Sequence, residues 1–252
     1  MIGLADERGL LVRLMGGLAF HAQAPTWTAR IGRDGRDIDL ATRGRDRKAL
    51  TELLVAEGYT PDRRYNALNG QKQMYFVDEP RQRPVDVLID RLEMCHTFEF
   101  ADRLNVTRPT LPLAELLLSK LQVVKINWKD VLDALVLLGE HPLGPGDGTG
   151  DASAETATIN TNRIIGLTSS DWGWWRTITG NLEKLEGFLG SDVTPSELDT
   201  GHPLRHDPAA QIATLRAAID AAPKSTRWKM RARVGERMAW YVLPEEVGHG
   251  PD

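Results

Sequence analysis

The stretch Asp37-Ile38-Asp39-Leu40-Ala41 alternates acidic and apolar residues. A period of two predicts a β-strand, because successive side chains on a strand point to opposite faces. Asp37 and Asp39 are therefore expected on one face, with Ile38 and Leu40 toward the core. The pattern therefore predicts two carboxylates close together. The alternative to a functional site is that Asp37 and Asp39 simply form a solvated strand face.

Before this strand, the apolar run Val12–Met15 leads into Gly16-Gly17. A glycine pair after an apolar run predicts a strand-to-helix turn. Glycine leaves its backbone N–H groups unobstructed, and N–H groups at a helix start attract phosphate. Gly16 and Gly17 are thus candidate phosphate-binding residues.

A third carboxylate, Asp86, lies in the later predicted strand Arg83–Ile89. If that strand is a neighbour of the first, Asp86 joins Asp37 and Asp39, and their mutual repulsion favours a bound cation. Oxygen-only donors suit Mg²⁺, and three acids can hold two ions for phosphoryl or nucleotidyl transfer. Asp90 shares the predicted strand face of Asp86 and is the alternative third acid.

The order of these motifs, Met15-Gly16-Gly17, then Asp37-Ile38-Asp39-Leu40, then Val85-Asp86-Val87, resembles the nucleotidyltransferase superfamily with the polymerase β fold. The resemblance covers about residues 10–140. It implies an α/β (α+β) fold with a short mixed sheet. It also implies two Mg²⁺ ions, an NTP substrate, and transfer of a nucleoside monophosphate to an acceptor hydroxyl with release of pyrophosphate.

Two further segments, Leu111–Leu121 and Lys129-Asp130-Val131-Leu132-Asp133, resemble the lysine helix and Lys-Asp-x-x-Asp helix of AbiEii-type nucleotidyltransferases. That family implies a toxin of a toxin–antitoxin or phage-defence system, an acceptor such as a tRNA 3′ end, and an antitoxin partner. Lys120 then contacts phosphate or acceptor. A lone lysine on an apolar helix otherwise extends to the surface.

Basic residues near the acids are candidate triphosphate ligands. Arg30, Arg33 and Arg36 fall between the glycine pair and Asp37, and Lys72 and Arg83 border the predicted strands. Of these, Arg36, Lys72 and Arg83 are the candidates for the nucleotide-binding set.

Composition divides the chain into three parts. Residues 1–140 mix strand and helix patterns, and residues 141–154 are rich in Gly, Pro and Asp, which predicts a linker or long loop. Residues 155–252 form a mainly helical C-terminal part. It includes Lys224–Arg237, with six basic residues and one acid, which is either a solvated helix face or a nucleic-acid patch.

The cysteine content and the length of the apolar runs exclude some classes of protein. Cys95 is the single cysteine, so neither an intrachain disulfide nor a structural zinc site is expected. No apolar run is long enough for a membrane span, and the first residues lack a signal peptide pattern, so a cytoplasmic protein without membrane contact is expected.

Two other functions remain open at this point. One is a small-molecule nucleotidyltransferase of the antibiotic-resistance kind. The other is a non-catalytic binding protein that keeps the fold; Leu18, which stands where relatives often carry Ser or Thr, favours it, and the three acids oppose it.

Overall fold

A five-stranded mixed sheet flanked by helices is the main feature of the computed structural model, which describes residues 1–30, 37–148, 157–190 and 204–243. This confirms the predicted α/β (α+β) class. The strands are β1 (Val12–Met15), β2 (Ile38–Thr42), β3 (Thr60–Pro61), β4 (Gln73–Asp78), β5 (Arg83–Ile89), β6 (Arg91–Glu93), β7 (Thr97–Glu99), β8 (Leu143–Gly144) and β9 (Ile159–Asn160). The helices are α1 (Ile2–Glu7), α2 (Gly16–Gln23), α3 (Pro25–Arg30), α4 (Arg47–Ala56), α5 (Arg63–Asn69), α6 (Leu113–Leu121), α7 (Trp128–Glu140), α8 (Thr161–Ser170), α9 (Trp172–Leu189), α10 (Pro208–Ala221) and α11 (Thr226–Val234).

The main sheet has the strand order β1-β2-β5-β4-β3. Strands β2 and β5 are parallel, and the other neighbouring pairs in this sheet are antiparallel. Strands β4 and β5 form a hairpin through the turn Glu79–Arg81. The central pair β2 and β5 therefore carries both acidic motifs.

The two faces of the sheet are buried against different sets of helices. One face, which includes Leu40 and Val87, packs on α4 through Leu50, Leu53 and Leu54. The opposite face, which includes Ala41, belongs to a second cluster with residues of α2, α6 and α7. The alternation along β2 therefore places Asp39 on the face covered by α2 and α6.

The C-terminal helices pack directly on the first part of the chain. Residues of α8, α9 and α10 belong to the same buried cluster as α6 and α7. Asn181 of α9 also donates to the backbone carbonyl groups of Leu121 (2.7 Å) and Val123 (2.9 Å). A continuous core thus runs across residue 140, and the division into separate domains stays a prediction.

A buried ion network joins the same parts. Glu115 of α6 is fully buried, and its Oε1 accepts hydrogen bonds from Nε of Arg103 (3.0 Å) and Nε of Arg163 (2.9 Å). Arg103 also donates to Asp147 at 2.6 Å. Arg163 lies on α8, so one carboxylate ties that helix to α6.

The predicted linker at residues 141–154 contains regular structure where it is described. Strand β8 lies within it and pairs in parallel with β9, and Gly148 forms an isolated bridge with Ala157. Residues 149–154 lie outside the described ranges. Among the described residues, no helix combines the length and the apolar character needed to cross a membrane.

Candidate functional site

Asp39 and Asp86 are direct register partners on the parallel strands β2 and β5. Side chains at paired positions of parallel strands project from the same face of the sheet. Both residues are half-buried. Strand β2 begins at Ile38, so Asp37 lies just outside the strand and is exposed.

Helix α2 begins beside these acids. Gly16 is its first residue and has a φ of +59°, a left-handed conformation that favours glycine. A Cβ atom built on Gly16 would lie 1.8 Å from Oδ2 of Asp39. The side chain of Met15, at the N-cap, makes no capping hydrogen bond, so the helix start lies against the Asp39 carboxylate without a side-chain cap.

The electrostatics of Asp39 reflect this crowding. Burial, followed by the negative charges of Asp86 and Asp37, raises its pKa from 3.8 to about 6, and Lys120 opposes the shift. A carboxylate destabilised in this way gains from an added cation. Both of the other predicted acids therefore act on Asp39.

Lys120 reaches the same region from α6. Its Nζ contacts Oδ1 of Asp130 (2.8 Å) and Oδ2 of Asp133 (3.1 Å), and it lies 5.3 Å from the ring centroid of Phe20 on α2. Burial lowers the pKa of Lys120, but Asp133 and Asp130 outweigh burial and leave the pKa raised. Lys120 is thus a charged ammonium group, 15% exposed, that is paired with the acids of α7 rather than extended to the surface.

The sequence reasoning missed the residues of β4 and α5 that surround Asp86. Gln73 donates a hydrogen bond from Nε2 to Oδ1 of Asp86. Tyr75 is the register partner of Asp86 on β4, and its ring packs edge-on against Tyr65 at 6.2 Å. Period-two alternation along Gln73-Met74-Tyr75 was the available signal, because it puts Gln73 and Tyr75 on one face.

Two other candidate phosphate ligands, Lys72 and Arg83, are not brought to the acids. Lys72 is largely exposed and pairs with Glu93 at 2.7 Å. Arg83 lies three positions before Asp86 on β5 and therefore points to the other face of the sheet. Arg33 and Arg36 lie outside the described residues.

Asp90 has a structural role instead of the alternative role considered for it. Its Oδ1 accepts a hydrogen bond from the backbone N–H of Gly44 at 2.9 Å. Its backbone carbonyl accepts from the N–H groups of Phe100 and Ala101. These contacts hold the turn after β5.

The donor set suits Mg²⁺ in its chemistry, because Asp37, Asp39 and Asp86 supply only oxygen and accumulate negative charge. Within the described ranges, no three His, Cys, Asp or Glu side chains are arranged to hold a metal ion. The charges of Asp86 and Asp37 act on Asp39, and a bound cation requires the three carboxylates to come closer together.

Comparisons with known proteins add little. No family model matches the chain, and no curated protein matches it. Among solved structures, it is similar to a STING-associated CdnE c-di-GMP synthase from Capnocytophaga granulosa. That match has 15% sequence identity and covers 84% of this chain and 72% of that chain, with a TM-score of 0.25. A TM-score this low supports no conclusion about the function of this chain.

Proposed function

We propose that this chain is a metal-dependent nucleotidyltransferase that moves a nucleoside monophosphate from an NTP to an acceptor hydroxyl and releases pyrophosphate. The observation that carries the proposal is the meeting of three elements. Asp39 and Asp86 are register partners on parallel strands, and the start of α2 at Gly16 lies against Asp39. Acids beside the N–H groups of a helix start are what a metal-bound triphosphate requires.

Each group has a separate task in this proposal. The backbone N–H groups of Gly16 and Gly17 hold the triphosphate, because phosphate binds favourably at the positive end of a helix. Asp37, Asp39 and Asp86 would hold Mg²⁺, which when bound would supply charge neutralisation of the triphosphate and activation of the acceptor oxygen. Gln73 restrains the Asp86 carboxylate through its hydrogen bond.

Lys120 serves as a fixed positive charge near the acids. It lowers the pKa of Asp39, which keeps more of this carboxylate ionised at neutral pH. Asp130 and Asp133 fix the position of Lys120. Lys72 and Arg83 have no part in this arrangement.

For the acceptor we propose an RNA 3′ end, with the chain acting as a toxin controlled by an antitoxin. The support for this part is the resemblance of Leu111–Leu121 and Lys129–Asp133 to AbiEii-type proteins. A small-molecule acceptor and a non-catalytic binding protein are the competing functions, and one experiment separates them.

The experiment incubates the purified chain with each α-labelled NTP, Mg²⁺ and total tRNA, and measures label on RNA, on protein and on small molecules. Asp39→Asn/Asp86→Asn protein is the control, because it keeps the shape of both side chains and removes both charges. Label on RNA that depends on the two acids and on Mg²⁺ supports the whole proposal.

Other outcomes divide the alternatives. Label on an added aminoglycoside or another small hydroxyl compound, with none on RNA, replaces the RNA acceptor with a small molecule. Absence of label on any acceptor, combined with absence of NTP binding, overturns the enzyme proposal and leaves a non-catalytic protein.

A further inference from the structure

A pocket that contains none of the three carboxylates lies between the β6–β7 hairpin, the start of α9, α11 and residues 239–242. Its volume is about 640 Å³. It is lined by aromatic rings and two arginines, and the proposed transfer chemistry does not use it.

The walls of the pocket are aromatic. The Trp172 and Trp240 rings meet edge to face at 6.0 Å, and Tyr241 packs on Trp240 at 5.2 Å. Trp240 is held by a hydrogen bond from its Nε1 to Oγ1 of Thr177 (3.1 Å). Thr177 also contacts His96 Nε2 at 2.8 Å, so these rings are fixed in place rather than loosely exposed.

Two arginines of α11 line this pocket, and they differ in how far their side chains are already bound by the protein. Arg231 lies 4.8 Å from the Trp172 ring centroid and donates to the carbonyl groups of Gly235 (2.6 Å) and Met238 (2.8 Å), so it has a structural role. The Arg227 side chain is 83% exposed, and its nearest acid, Asp171, lies 3.9 Å away. Oδ1 of Asp171 is engaged in capping α9. Arg227 is therefore the cation at the pocket that an incoming anion can recruit.

The surroundings extend this positive charge. Besides Arg227 and Arg231, the segment carries Lys224, Lys229, Arg233 and Arg237, against Glu236 as its one acid. Glu236 is itself paired with Arg176 at 2.5 Å. Lys229 and Arg233 are exposed on the same helix, and basic residues close to an aromatic pocket match a ligand with several phosphates and flat rings.

Single-stranded RNA has this chemistry, because its unstacked bases can pack on aromatic side chains while its phosphates contact basic residues. A duplex keeps its bases stacked internally, and a free mononucleotide cannot use the basic residues beyond the pocket. The hairpin wall also lies near the acids along the chain. Cys95 lies nine positions after Asp86, so the two residues are at most about 32 Å apart. A short single-stranded RNA can therefore reach both sites.

We propose that this pocket binds a base of a single-stranded RNA whose phosphates contact Arg227 and α11. Its role as an acceptor-binding site rests on the proposed function, whereas the binding itself does not. The pocket would then hold the RNA while its end reaches the carboxylates.

The test measures fluorescence anisotropy of a dye-labelled single-stranded RNA of about ten nucleotides, a length within known single-strand site sizes. It uses Asp39→Asn/Asp86→Asn protein without NTP, so that no turnover occurs. Arg227→Glu and Tyr241→Ala are the test variants, each made in this background. Lys48→Glu, an exposed lysine on α4, is the matched charge control.

Arg227→Glu is expected to weaken binding about tenfold and to reduce the salt dependence by about one charge. Tyr241→Ala is expected to weaken it at least fivefold through lost stacking, and Lys48→Glu is expected to leave it unchanged. Circular dichroism checks that each variant is folded.

Three results overturn the inference: affinity that neither pocket variant changes, equal affinity for a duplex of the same sequence, or displacement by AMP at equal concentration. These results leave the proposed function intact if NTP transfer is observed. Conversely, RNA binding with the predicted variant pattern but without NTP transfer keeps the pocket and removes the enzyme proposal.

Discussion

A Cβ atom on Gly16 would lie 1.8 Å from Oδ2 of Asp39, so this carboxylate occupies the space that any side chain at position 16 would need. The positive φ of Gly16 adds a second restriction. By contrast, a Cβ on Gly17 would meet nothing within 4 Å. The two glycines of one motif are therefore constrained for different reasons.

Gly16→Ala and Gly17→Ala separate these reasons. Gly16→Ala is expected to lower the free energy of unfolding by about 1–3 kcal/mol through backbone strain and displacement of Asp39. Gly17→Ala is expected to change it by less than about 0.5 kcal/mol, because the position is helical and open. Urea denaturation measures both.

Gly17→Ala also tests whether the start of α2 binds phosphate. If the N–H groups of α2 hold the triphosphate, the methyl group of Gly17→Ala obstructs the ligand without disturbing the free protein. NTP affinity is then expected to fall at least fivefold in calorimetry. Unchanged NTP affinity in stable Gly17→Ala protein contradicts a phosphate at this position.

Asp39→Asn is expected to make the metal-free protein more stable. The raised pKa means that the folded state binds the Asp39 proton more tightly than the unfolded chain does, so stability falls as pH rises from about 3.8 to about 6. Above this window, we expect Asp39→Asn to be more stable by about 1–2 kcal/mol. Below pH 3.8 the two proteins converge.

The check is thermal unfolding across this pH range in EDTA, with Asp37→Asn as the comparison. That variant removes one charge acting on Asp39 from an exposed position, so its gain is expected to be smaller. A difference in stability between wild type and Asp39→Asn that does not change with pH contradicts this prediction.

The acid pair was predictable, but the way it is completed was not. Alternation along β2 and β5 put Asp39 and Asp86 on strand faces, and the parallel pairing of these strands confirmed that they are neighbours. Gln73 and Tyr75 were missed because their relation to Asp86 depends on the register between β4 and β5. Lys72 and Arg83 were chosen for charge near a strand, and the sequence gives no direct sign of strand face or ion pairing across the fold.

The C-terminal part of the chain was also only partly predictable from the sequence. The sequence predicts a mainly helical C-terminal part, yet the pocket at Trp240 and Tyr241 depends on how the chain after α11 returns to the β6–β7 hairpin. One backbone hydrogen bond records this return, from Val242 N–H to the carbonyl of Cys95 at 3.1 Å. Local sequence patterns carry no information about such a contact.

Lys120→Met tests the positive charge near the acids. Removing the ammonium group leaves Asp130 and the buried Asp133 without this partner, so we expect a loss of about 2 kcal/mol in stability. Lys120 lowers the pKa of Asp39. Without it, the pH range over which ionisation of Asp39 lowers stability should extend upward. Lys120→Arg, which keeps the charge, is expected to retain most of the pH behaviour.

A second substitution makes this result specific. Asp133→Asn in the Lys120→Met background is expected to recover about 1 kcal/mol, because it removes the buried charge that Lys120 had balanced. Additive losses in the double variant contradict direct coupling between Lys120 and Asp133.

Glu115→Gln tests the network that joins α6 to α8. Arg103 and Arg163 share Oε1 of this buried carboxylate, so neutralising it leaves two partly buried guanidinium groups without its charge. The expected loss is about 3–5 kcal/mol in urea unfolding. Glu99→Gln is the matched control, since its side chain is 60% exposed and lies 3.5 Å from Arg91. Equal midpoints for the two variants contradict a stabilising role for this network.

The measurement that tests the central claim most directly is calorimetric binding of each NTP to the chain, with Mg²⁺ and with EDTA. Wild type, Asp39→Asn/Asp86→Asn and Gly17→Ala are compared. Our account predicts binding by the wild type that requires Mg²⁺, that the double variant loses and that Gly17→Ala weakens. NTP binding of equal strength in EDTA and in the double variant, or no NTP binding by folded wild type, contradicts a nucleotide site at Gly16, Asp39 and Asp86.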